Sequence, residues 1–248
     1  MELERVGKVA VLRIAAGKAN ALNESLLVSL NRILENINQS DERALVVTGE
    51  AGFFSAGFNL VELSQLDWPA MERFIRLFDK TMLRLYTMPM PVIAAINGHA
   101  IAGGCIIALQ TDYRMMADSN GKIGLNETQL GLGLPKQVVE VLRATVPIGS
   151  VFPIALEGRL FSPHEAQEVG LIHNVVSPDA LESRAVAKAQ ELANLPAAGY
   201  VHVKSTLQRP ILNAIETDAE TAIDGWLDTW FSNDAQTKIK AAVQRLSR

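Results

Sequence analysis

Glu127 lies in "GLNETQL", Gly124 to Leu130, among glycine, leucines, amides and a hydroxyl, with no cationic neighbour. An acid there either opens a helix, where the helix dipole favours it, or faces a pocket and moves protons. Two glycine-rich stretches precede it, "GFFSAGFNL" (Gly52 to Leu60) and "NGHAIAGGC" (Asn97 to Cys105). Each follows an apolar segment and leads into a helical one, where backbone N–H groups lack intrahelical partners. Ala56, Gly57, Ala102, Gly103 and Gly104 are small enough for a ligand oxygen to approach the main chain. Taken singly, each stretch reads first as a tight packed turn. Together they can converge on one oxygen as an oxyanion hole.

Other chemistries find little support. Ser55 and Cys105 lie in neither a G-x-S-x-G elbow nor a Cys–His setting, and read as small buried residues. "NGHAIAGG" departs from the dinucleotide fingerprint G-x-G-x-x-G. A single cysteine provides neither a disulfide framework nor a thiolate metal cluster, and the four histidines include no pair at helical ligand spacing, so no metal site is expected. The net charge of −4 lacks the basic footprint of a nucleic-acid binder.

The elements that must position these residues follow from periodicity. Val6, Val9, Val11 and Ile14 alternate with polar residues and predict an opening strand or hairpin. Leu26, Leu27, Leu30, Ile33, Leu34 and Ile37 recur at helical spacing behind Asn23, a candidate N-cap. "ALVVTG", "PVIAAING" and "YRMMA" read as short buried strands. "PAMERFIRLFDKTMLRLYT", with Pro69 near its first turn, and "GCIIALQTD" read as helices. This alternation predicts an α/β fold with largely parallel pairing. Beyond about Lys136 the pattern turns helical, through "QVVEVLRATV", "GSVFPIALEG" and "SPHEAQEVG", with a brief "VVS" strand before the long stretch from Pro178. Residues 1–195 are expected to form the core and 196–248 a C-terminal helical region, whose Trp226, Trp230 and Phe231 serve packing or subunit contacts.

The run from Pro91 to Leu109 carries no Lys, Arg, Asp or Glu, yet its central glycines, Asn97 and His99 suit a strand, a turn and a helix better than a membrane span. With no presequence-like N-terminus and no "SKL" ending, the expected location is cytoplasmic, with no membrane partner.

The ordered set "NALNESLLVSL", "FFSAGFNL", "MPVIAAINGHAIAGGC", "LQTDYRMMADSNGKIGLNETQLGLGLP" and "EAQEVGLIHNVV" resembles the crotonase (enoyl-CoA hydratase/isomerase) superfamily over nearly the whole chain. The context of Glu127 is most similar to the mitochondrial-type Δ3,Δ2-enoyl-CoA isomerases. The resemblance implies a spiral of ββα turns with a C-terminal helical trimerisation region, assembled as a homotrimer or dimer of trimers. It implies an acyl-CoA thioester as substrate, with no metal or redox cofactor, coenzyme A being part of the substrate. By motif, the N–H groups of Phe58 and Gly103 would bind the thioester oxygen and Glu127 would be the catalytic acid–base. Ala56, Gly57, Asn59, Leu60, Gly104, Ile106 and Asn126 would line the substrate.

Three positions depart from the wider family. Asn59 stands where many relatives carry Asp, and Met90 where Lys is frequent. Ile106 occupies the place of the first glutamate of the hydratases, whose second matches Glu127. A lone carboxylate can take a proton from one carbon and return it to another, whereas hydration in the family uses two acids. Asn126 either orients the Glu127 carboxylate or caps a helix. The rivals are a hydratase, lyase or thioester hydrolase of the same family and, in another class, a non-catalytic acyl-CoA-binding relative.

Overall fold

The computed structural model describes residues 1–17, 19–50 and 52–246. Strands β1 (Glu2–Val6) and β2 (Val9–Arg13) form an antiparallel hairpin, and α1 (Glu24–Asn38) follows. Asn23 caps α1 by accepting the Leu26 N–H at 3.0 Å, and the buried face is Leu26, Leu27, Leu30, Leu34 and Ile37, the expected period.

Next come β3 (Ala44–Thr48), β4 (Phe53–Ser55), the single-turn α2 (Leu60–Leu63) and α3 (Trp68–Tyr86). Asp67 caps α3 through the Ala70 N–H, and the helix ends before the prolines Pro89 and Pro91. Then follow β5 (Val92–Ile96), β6 (His99–Ile101), α4 (Gly103–Leu109), β7 (Tyr113–Ala117) and β8 (Ile123–Gly124). A 3-10 turn at Glu127–Leu130 leads to α5 (Lys136–Thr145), α6 (Pro163–Glu168) and β9 (Asn174–Val176). The chain closes with α7 (Leu181–Ala193), α8 (Ala197–Glu216), α9 (Ala219–Trp230) and α10 (Asn233–Leu246).

The large sheet has the order β1-β2-β3-β5-β7-β9 and is parallel except for the β1–β2 hairpin. β3 and β5 are buried along their whole length, as parallel strands covered on both faces must be. Side chains alternate between two cores. Val9, Val11, Val46, Ile93 and Ala95 pack on Ala185 and Ala189 of α7. Ala10, Leu12, Leu45, Val47, Ala94 and Ile96 face the main core, shared with α1, α3 and α4.

The structure departs from the sequence reading in two places. The glycine stretches are not plain loops: each holds a strand of two or three residues, and these strands form a second, parallel sheet of order β4-β6-β8. Each strand of the large sheet among β3, β5 and β7 is thus followed by one of the small sheet, giving the ββα repeat. "GSVFPIALEG", expected to be helical, is instead a 3-10 turn at Ile148–Ser150 and a π-turn at Phe152–Leu156. Pro153 lacks an N–H, and Gly149 and Gly158 flank the segment, so a regular α-helix is not sustained.

Of the helices after residue 196, α9 and α10 pack into the main core. Trp226, Leu227, Trp230, Ala235 and Ile239 are buried in the main cluster, so the tryptophans serve packing within the chain. Among the described residues no helix is long and apolar enough to cross a membrane.

Candidate active site

The small sheet brings the three chemical segments to one edge. Its strands are parallel, with Ser55 opposite Ala100 after a bulge between Phe53 and Ser55, Ala100 opposite Ile123 and Ile101 opposite Gly124. Their carboxyl ends therefore emerge side by side. Ala56–Gly57–Phe58 follows β4, Ala102–Gly103 follows β6, and Leu125–Asn126–Glu127 follows β8. Ligands of parallel sheets bind beyond such strand ends. The main chains are tied together there, with the Ala102 N–H donating to the Gly124 carbonyl at 2.9 Å.

Gly57 and Gly103 are in contact. A methyl on Gly57 would lie 3.0 Å from the Gly103 nitrogen and 2.8 Å from the Ile101 carbonyl oxygen. One on Gly103 would lie 3.2 Å from Gly57 Cα. Gly57 also holds φ +87°, a conformation that favours glycine. Phe58 pairs with Leu22 in a parallel bridge, in which Leu22 N–H donates to the Gly57 carbonyl at 2.7 Å and Asn59 N–H to the Leu22 carbonyl at 2.8 Å. In that pattern the Phe58 N–H faces away from Leu22. The Gly103 N–H opens α4 and has no intrahelical partner. Ala102, just before Gly103, is held at φ +50°, ψ −117°, a strained setting for a residue with a Cβ. Gly104 is required by packing, since a Cβ there would fall 2.1 Å from the Ser55 carbonyl oxygen.

Glu127 opens the 3-10 turn and is only 8% exposed. Its Oε2 is buried without a hydrogen-bond partner. Burial pushes its pKa up to about 7, partly countered by its own backbone N–H. Ile106 and Leu125 are both buried. The neighbouring Cys105 thiol is pushed upward by burial and then by the Glu127 charge, which keeps it protonated and unsuited to nucleophilic attack. Asn126 makes no side-chain cap bond, and its Oδ1 is buried without a partner.

The other expected residues sit around this edge. Ala56 N–H donates to the Ala19 carbonyl at 2.9 Å. Asn59 caps α2 through the Glu62 N–H at 3.3 Å, and it lines an outer recess of about 320 Å³ with Asn23 and Glu62. Leu60 is half-buried against the main core. A larger recess, about 730 Å³, lies elsewhere under α8 and contains none of these residues.

Sequence reasoning missed the aromatic enclosure. The Phe58 ring meets Phe74 and Phe78 edge-on at 5.1 and 5.0 Å, and Trp226 at 6.5 Å. Trp226 in turn donates from Nε1 to the Gly133 carbonyl at 3.0 Å, and Gly133 N–H donates to Thr229 Oγ1 at 3.0 Å. Gly131, at φ +77°, ends the Glu127 turn where a Cβ would sit 3.2 Å from the Ala235 nitrogen at the start of α10. The chain thus covers its own site with α9 and α10. The helical character of the region around Trp226 was expected, but not the partner it packs against.

Two adjacent backbone donors and a buried acid at one sheet edge suit enolate chemistry on a thioester. The model of the enoyl-CoA hydratase/isomerase family matches residues 4–245. The chain belongs to this family. Among relatives, human mitochondrial enoyl-CoA delta isomerase 1 is 28% identical, over 96% of this chain and 80% of its own length. A short-chain-enoyl-CoA hydratase from Clostridium acetobutylicum is 33% identical, over 89% and 84%. The structure of human mitochondrial Δ3-Δ2-enoyl-CoA isomerase superposes with a TM-score of 0.95 at 27% identity, covering 99% of this chain and 97% of the other. An enoyl-CoA hydratase from Mycobacterium ulcerans gives 0.84 at 27%, covering 92% and 98%. The family therefore joins isomerase and hydratase relatives at similar identity, and the crotonase fold is shared by both. Among the described residues no three His, Cys, Asp or Glu side chains gather as a metal site.

Proposed function

We propose that the protein converts a 3-enoyl-CoA into the conjugated 2-enoyl-CoA, with Glu127 as the only proton carrier. The observation that carries this reading is the pairing of two positions: a buried carboxylate at Glu127, whose Oε2 has no hydrogen-bond partner, and a buried isoleucine at Ile106.

A C2 proton of a 3-enoyl thioester is acidic because its loss gives a dienolate, with charge spread to the thioester oxygen. The N–H groups of Phe58 and Gly103 would hold that oxygen. One donor of this kind contributes about 2.7–4 kcal/mol to the transition state. Glu127 would accept the C2 proton as carboxylate, then deliver it as carboxylic acid to C4, so the acid returns to its starting state and no atom is gained. A pKa near 7 suits a group that must do both at neutral pH. Ala56, Gly57, Asn59, Leu60, Gly104, Ile106 and Asn126 would surround the thioester, with Ala56 and its neighbours along the coenzyme A.

Conjugation raises ultraviolet absorbance, so incubation of purified protein with a 3-enoyl-CoA reads the reaction directly. Sustained formation of 2-enoyl-CoA is expected; its absence contradicts the reading. The second reading, hydration, draws on the 33% identity to the Clostridium hydratase. It requires a second polar group at the acyl carbons, and α4 offers Cys105, Ile106 and Ile107 there.

Assembly as a homotrimer or a dimer of trimers belongs to the same proposal. Val203 and Leu207 of α8, 57% and 69% exposed beside the large recess, are apolar surface that a second copy would cover. Sedimentation at a single-subunit mass would contradict it.

A further inference from the structure

A second acid, half-buried, lies behind the aromatic enclosure. Asp79 of α3 accepts a hydrogen bond from Gln137 Nε2 of α5 at 2.8 Å. Gln137 is 1% exposed, and its Oε1 is buried without a partner. Both side chains line a cavity of about 410 Å³, whose apolar walls include Ile75, Leu83, Ile215, Ile223 and Trp226. That volume falls in the range of small-molecule sites, which pair apolar walls with a few polar groups. A buried acceptor left open is costly unless something fills it.

The cavity adjoins the reaction edge. Trp226 is its wall and also packs edge-on to the Phe58 ring. Phe78, the neighbour of Asp79 on α3, also packs edge-on to that ring at 5.0 Å. The cations at the cavity are largely engaged, Arg76 by Glu72 and Glu220 and Lys136 by the Thr217 carbonyl, leaving the exposed Lys80 at the edge. The interior therefore suits a neutral donor better than an anion.

We infer that this cavity receives the distal end of the acyl group and selects acyl chains bearing a hydroxyl there, held by Gln137 Oε1 and the Asp79 carboxyl. The inference rests on the acyl-thioester reading above. A hydroxyl would donate to Oε1, whereas a plain alkyl end would leave that acceptor unpaired, the arrangement by which polar sites reject analogues lacking a hydroxyl.

The test compares binding of saturated acyl-CoA esters of short and medium chain length, each with and without a terminal hydroxyl, to wild type and variants by calorimetry. Wild type should bind one hydroxylated ester about tenfold tighter than its plain counterpart, the scale of one buried hydrogen bond. Gln137→Met should remove the preference. The double variant Asp79→Leu with Gln137→Met, which leaves no polar group stranded, should fold, bind the plain ester at least as well as wild type and disfavour the hydroxylated one. No preference in wild type, a preference unchanged in the variants, or tighter binding of a terminal carboxylate would overturn the inference. Failure of both esters to bind would overturn it together with the acyl-CoA reading. Normal turnover of a plain 3-enoyl-CoA without hydroxyl preference would overturn this inference alone. A hydroxyl preference without any 3-enoyl-CoA turnover would support it while contradicting the isomerase assignment.

Discussion

Gly57 and Gly103 pack so closely that neither position has room for a methyl group: a Cβ on Gly57 would lie 3.0 Å from the Gly103 nitrogen. The two proposed oxyanion donors thus belong to turns whose spacing is set by main-chain contact. Gly57→Ala must push these turns apart and adopt a positive φ, costing about 1–3 kcal/mol of stability. Since one lost donor typically costs about 10²–10³ in kcat, turnover should fall by at least about a hundredfold in protein that remains folded by circular dichroism. Near-normal turnover would separate this contact from catalysis.

Glu127→Gln keeps shape and removes the proton carrier. Acyl-CoA affinity should stay within a few-fold of wild type, and isomerisation should fall by about 10³, within the range that a positioned acid–base group typically contributes. Calorimetry and the absorbance assay on the same preparation check both parts.

The same substitution should stabilise the fold at neutral pH. Burial raises the folded pKa of Glu127 from 4.5 to about 7, so the folded chain holds the proton more tightly than the unfolded one. From this group, stability is highest below about pH 4.5 and is lost as pH rises through 7. Above pH 7 the ionised carboxylate costs up to about 3 kcal/mol, which Glu127→Gln relieves. Melting temperatures of the two proteins should differ most above pH 7 and converge in acid. A variant less stable than wild type at pH 8 would contradict this.

Activity should follow the same ionisation with the opposite preference. The free enzyme needs Glu127 as carboxylate to take the C2 proton, so kcat/KM should rise about tenfold per pH unit on the acid side and level off above about pH 7. A profile that is flat between pH 5 and 8 would remove Glu127 as the base.

Much of this arrangement was legible in the residues. The period of α1 and α3, the cap at Asn23 and the apolar runs of β3 and β5 follow local rules, and the structure obeys them. Glu127 and Ile106 stood out because one is charged in an apolar run and the other replaces a family acid. The small sheet did not, because strands as short as Ile123–Gly124 and His99–Ile101 have no periodicity to read and contain or adjoin glycine. The pairing of Trp226 with Phe58 joins residues far apart in sequence, so only the folded chain reveals it. Asn126, left between two roles, makes no side-chain cap bond.

The central claim is that one acid, with isoleucine in the second position, moves a double bond without adding water. Purified protein should be incubated separately with a 3-enoyl-CoA and a 2-enoyl-CoA of matched chain length, with products identified by mass and absorbance. The account predicts conversion of the 3-enoyl ester into a conjugated product of unchanged mass, and little or no hydrated product from the 2-enoyl ester. Robust gain of one water from the 2-enoyl ester, with the 3-enoyl ester left unconverted, would contradict it.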